Sequence, residues 1–138
     1  MALLDSLAVV SHALFGALWT GAVVFTALLA GGLSKHATTP LGDLVVDRLR
    51  LVSRSSAVVT LLSGGYLAMG YDHTVFTSTT RGMLISAMVA LWLVLMITVE
   101  IGASRTLDGE GRGDVMLGVA GIVAVLLLLD VGLLVAGV

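Results

Sequence analysis

Residues 115–138 read VMLGVAGIVAVLLLLDVGLLVAGV, an apolar run whose one ionisable side chain is Asp130. At about 1.5 Å per residue, such a run is long enough to cross a ~30 Å hydrocarbon core as a helix. Three more stretches of this kind, Leu7 to Leu33, Leu51 to Tyr71 and Gly82 to Gly102, fill most of the remaining chain. Lipid offers backbone groups no partners, and a barrel would show alternating strands of about ten residues, so helices are expected. The reading is therefore an all-α integral membrane protein, an antiparallel bundle of four transmembrane helices forming a single domain over residues 1–138.

Composition sets further bounds. The mean hydropathy is +1.11 and 58% of residues are hydrophobic. A chain of 138 residues with four spans has no room for a soluble domain. The absence of cysteine excludes disulfides, thiolate metal sites and thiol redox chemistry. The first apolar stretch outruns a signal-peptide h-region and has no basic residues before it, so it is expected to be retained. With a net charge of -2 and its few basic residues at membrane edges, the chain has no nucleic-acid signature; the partners expected are the lipid bilayer and either further copies of the chain or a larger membrane complex.

Charge placement predicts orientation. Lys35, Arg48, Arg50 and Arg54 lie in or beside the first connector and Arg105 and Arg112 in the third, whereas the opposite side has Arg81 alone. By the positive-inside rule both termini and the short connector Asp72 to Arg81 face outward. Arginine predominates over lysine, compatible with a GC-rich genome, and a prokaryotic cell membrane is the expected compartment.

The connectors carry little chemistry. After Thr38, Thr39 and Pro40, the residues Asp43, Asp47, Arg50 and Arg54 recur at helical spacing, which predicts an amphipathic start to helix two that projects from the membrane as a solvated face. The string LDGEGRGD reads as a flexible turn, since no Lys-Ser/Thr follows its glycines and no strand precedes them. No hydrolase elbow or carboxylate pair at catalytic spacing points to an enzyme. Small residues recur where helices should touch: Ala57, Thr60, Gly64 and Ala68 on helix two, Ala17 and Gly21 on helix one, and Gly118 and Gly121 on helix four.

Polar residues at membrane depth are costly unless they face inward and find partners. His12 and Asp130 each lie about five residues, or ~8 Å, inside the outer end of their helix, and the same count on helices two and three reaches Tyr66 and Met88. Pointing inward, His12, Tyr66, Met88 and Asp130 would form a ring able to hold a metal ion, a haem iron or a proton. Met69 and His73 share a face near the outer end of helix two and, with Met83, are further metal-ligand candidates. Each has an ordinary alternative, a hydrogen-bonded core histidine or gap-filling methionine. Glu100 reads as a snorkelling or paired carboxylate.

In SHALFGALWTGAVVF (residues 11–25), His12 precedes Trp19 by seven positions and Gly21 and Phe25 follow. This run resembles the first helix of the copper resistance protein D (CopD) domain, and RSSAVVTLLSGGYLAMG (residues 54–70) is similar to the second. A more distant likeness is to HemJ-type protoporphyrinogen oxidases. The resemblance implies a four-helix membrane module handling a copper ion or haem, with His12 as a carried-over ligand. Both families tend to carry a lysine in helix three where Met88 stands here, which disfavours the oxidase activity and leaves soft metals open.

Three classes of function follow. In the first, His12 ligates copper or haem iron, Met88 or His73 adds a ligand, Trp19 packs beside it and Asp130 orients the imidazole. In the second, His12 and Asp130 relay protons or pass an ion through an oligomer. The third is a structural or accessory subunit whose polar residues fix helix register.

Overall fold

The computed structural model describes residues 3–36, 40–72, 74–108 and 112–137, with the side chains of 33–36 left aside. All regular structure among these residues is helical: α1 (Leu3–His36), α2 (Pro40–Ala68), the single turn α3 (Val75–Ser78), α4 (Thr80–Leu107) and α5 (Gly113–Ala136). The boundaries follow local chemistry. Pro40 opens α2, where its missing N–H leaves no bond unmade. The Thr79 hydroxyl caps α4 by accepting from the Gly82 N–H at 3.0 Å. Gly137, at φ 77°, ends α5 in the left-handed conformation that glycine adopts without strain.

Of the four spans expected, α1, α4 and α5 are long and apolar enough to cross a membrane. The long helix α2 falls short on composition, because it carries Asp43, Asp47, Arg48, Arg50 and Arg54 and then a run of serines and a threonine. Its charged first turns are amphipathic, as expected: Val46 and Leu49 are buried against the bundle, and Asp43 and Asp47 are exposed.

Around the bundle α1 packs against α2 and α5, and α4 closes the ring against α5 and α2. Neighbours run antiparallel: Trp19 meets Ser53 while His12, earlier in α1, meets Ser63, later in α2. The core holds Trp19, Val23, Leu95, Val99, Leu117, Ala120 and Ala124. The exterior is apolar too, with Leu14, Phe25, Leu28, Leu62, Ile97, Ile122 and Leu129 all exposed, whereas Thr20, Ser53, Ser56, Thr60 and Ser63 are buried. Apolar outside and hydroxyl-bearing within is the pattern that a bilayer solvent favours.

Small residues tighten some helix contacts, at the expected Gly121 and also at Gly102. A Cβ on Gly121 would come within 2.5 Å of the Ala27 side chain, and one on Gly102 within 3.1 Å of Leu117. Gly21 is an exception to the expectation for helix one: it is exposed, and a Cβ there would meet nothing within 4 Å. The same is true of space around Gly118.

Candidate functional site

Three N–H donors from α1 and α4 land on one face of α2. Ser53, Ser56, Thr60 and Ser63 recur at helical spacing, so their hydroxyls stack along a single buried stripe. Trp19 Nε1 donates to Ser53 Oγ at 2.8 Å. Trp92 Nε1 donates to Thr60 Oγ1 at 3.0 Å. The two indoles meet edge to face, with centroids 6.1 Å apart and planes at 78°, a favoured aromatic geometry.

His12 completes the set, its Nδ1 lying 3.1 Å from the Thr60 carbonyl and 3.1 Å from Ser63 Oγ. Ser63 commits its one hydroxyl proton to the Val59 carbonyl at 2.6 Å, so toward the imidazole it can only accept. A carbonyl also only accepts, and both neighbours therefore assign the proton of the neutral ring to Nδ1. The Nε2 lone pair is left available. The ring lies against bare backbone, since a Cβ on Gly64 would sit 2.8 Å from Cε1 of His12.

These residues wall a cavity of about 390 Å³ lined by His12, Trp19 and Thr20 from α1, Thr60 from α2, Met88 and Trp92 from α4 and Leu127 from α5, among others. That volume is in the usual range for small-molecule sites, about 300–1,000 Å³. The walls are almost wholly apolar. Exposed residues of all four long helices take part in its lining, among them Ala17 on α1, Leu61 and Gly65 on α2, Val89 and Leu93 on α4 and Leu128 on α5.

Of the residues singled out in the sequence, the cavity brings together His12, Trp19 and Met88. Tyr66 is exposed and donates to Asp5 Oδ1 at 3.0 Å, near the start of α1. Asp130 is buried, and its Oδ2 has no hydrogen-bond partner among the described residues. Its neighbours Leu127, Leu128 and Val131 line the cavity. Met69 and Met83 are exposed, and His73 lies outside the described residues. Among the described residues no three His, Asp or Glu side chains gather where they could hold a metal ion.

Glu100 is indeed paired, with partners from α2: Arg54 grips it through Nη2 and Nε at 2.5 and 3.2 Å, and Arg50 bonds the same carboxylate. Trp92, Ser53 and Ser63 had not been anticipated. The signal available for them was the hydroxyl spacing on α2, which marks a buried polar face that needs donors opposite.

No protein-family model, curated protein or solved structure matches this chain.

Proposed function

We propose that the chain is a multi-pass membrane protein, with α2 as its fourth span and both termini outside, that binds a metal-bearing apolar ligand in the cavity through His12. The observation that carries this reading is the imidazole: Nδ1–H is held by the Thr60 carbonyl and Ser63 Oγ, leaving Nε2 as the donor. Metal-ligating histidines characteristically donate their other N–H to such an acceptor, which fixes tautomer and ring orientation.

The donor set favours haem over a bare copper ion. A haem would need one or two ligands from the protein, together with apolar walls. Here His12 is the nitrogen donor and the indoles and leucines supply the walls. Bound there, haem would bring redox-active iron, while this chain's residues orient the donor and exclude water. A copper ion would need more than His12 and the Met88 thioether. The likeness of α1 to the CopD domain agrees with either ligand, and the apolar lining suits one that partitions into the bilayer.

The chain's two tryptophans, Trp19 and Trp92, both line the cavity, so ligand binding should quench intrinsic fluorescence. Purified protein titrated with haem is expected to develop a Soret band together with that quenching, and His12→Ala to lose both. Copper recovered by metal analysis in place of haem would move the assignment to the ion. A protein that takes up neither would overturn the proposal.

A further inference from the structure

Arg50 and Arg54 of α2 share the single carboxylate of Glu100 on α4, which leaves this cluster one positive charge in excess. The Arg50 side chain is mostly buried, with its Nε shut off from the surface, so the accessible donors are chiefly those of Arg54. The Arg54 side chain is 60% exposed and that of Glu100 38%. The cluster sits at a boundary: toward the start of α2 the exposed neighbours are Asp47 and Arg48, and in the other direction they are Leu51, Val58 and, on α4, Ile97. On a chain with membrane-spanning helices, such a boundary between exposed charge and exposed apolar side chains is where headgroups lie.

We infer that the Arg50–Arg54 pair is a binding site for the phosphate of an anionic phospholipid headgroup. Guanidinium is the side chain best shaped for phosphate, offering paired N–H donors in a plane. Glu100 holds both guanidiniums in place and consumes one of the two charges; the other remains for the phosphodiester. The exposed Leu51, Ile97 and Ile101 run alongside and give the acyl chains a track. A free phosphate ion would use the same donors but gain nothing from that track, which is why the lipid is the occupant. The inference rests on α2 being membrane-embedded beyond this point, and is independent of what fills the cavity.

The test uses the full chain reconstituted in vesicles of phosphatidylcholine alone or of phosphatidylcholine and phosphatidylglycerol in equal parts. Spin-labelled forms of each lipid report their relative association with the protein. Selectivity for phosphatidylglycerol of about fivefold is expected, the equivalent of ~1 kcal/mol for one excess charge near the membrane surface. Arg54→Gln should bring the ratio to about one and Arg54→Lys should retain part of it. Glu100→Gln should raise it by releasing the second charge, whereas a merely structural cluster would lose selectivity with either neutral variant. Should Glu100→Gln not fold, the Gln and Lys variants at position 54 decide. Equal association of both lipids with the native protein, or an unchanged ratio in Arg54→Gln, would overturn the inference. So would inorganic phosphate that stabilises the detergent-solubilised protein as well as phosphatidylglycerol does. Failure of the protein to enter vesicles at all would instead strike at the membrane-embedded reading of α2.

Discussion

The His12 imidazole occupies the space that a side chain at position 64 would need, because a Cβ built on Gly64 lies 2.8 Å from His12 Cε1 and 3.2 Å from Nδ1. Gly64→Ala should push the ring off its Thr60 and Ser63 acceptors and cost about 1–3 kcal/mol, the usual range for overpacking. Gly65→Ala, one residue along with nothing within 4 Å of its Cβ, should be neutral or stabilising by roughly 0.5–1 kcal/mol through helix propensity. Thermal unfolding in detergent by circular dichroism compares the two. Equal effects would show that the ring does not rest on Gly64.

Trp19 and Ser53 should behave as a coupled pair. Trp19→Phe removes the indole N–H and leaves a buried hydroxyl without its donor, a loss of about 1–3 kcal/mol. Ser53→Ala strands the indole instead. The double variant should lose less than the two single losses combined, and a double-mutant cycle measures the difference. Strict additivity would mean that the 2.8 Å contact contributes nothing.

The glycines on α1 and α5 should differ in a way that residue type alone does not indicate. Gly121→Ala drives a methyl to within 2.5 Å of the Ala27 side chain and should separate α1 from α5, with loss of stability. Gly21→Ala, facing open space, should leave stability unchanged or slightly higher. The melting temperatures of the two variants settle this.

Asp130 has a buried Oδ2 with no hydrogen-bond partner among the described residues, so replacing it should relieve a cost. Asp130→Leu is expected to raise stability by about 1–3 kcal/mol. A fall in stability on denaturant titration would show that the carboxyl is satisfied in the folded protein by a group beyond the described residues.

The natural absence of cysteine makes orientation directly measurable. On intact cells, Thr77→Cys should react with a membrane-impermeant maleimide, and Asp108→Cys should react only after permeabilisation. The reverse pattern would invert the topology. Labelling of both from one side would mean that α4 does not cross.

Hydropathy made three of the long helices legible, because a span must be apolar along its whole length whatever its neighbours are. The fourth, α2, was legible as a helix with an amphipathic start after Pro40, but its charges and hydroxyls leave it short of the composition of a span. Depth was legible too: counting residues from the helix ends placed His12 and Met88 at one level, and both line the cavity. Rotation about the helix axis was not, because each residue turns the side chain by about 100° and the zero of that angle is set by packing. Tyr66 therefore reaches outward to Asp5 despite its matching depth. The hydroxyl stripe was in plain view, but serine and threonine in a helix can bond their own preceding turn, so their spacing alone names no partner.

The composition of α2 bears on how the protein enters the membrane. This helix leaves the ribosome with a buried face of hydroxyls and with Arg50 and Arg54 before the carboxylate that neutralises them, because Glu100 lies two helices later. Alone it is the least apolar of the four long helices, and α1, made before it, carries the Trp19 and His12 donors for that face. If α2 spans the membrane, as proposed, it should insert as a hairpin with α1, and α4 should later close both the polar stripe and the arginine pair.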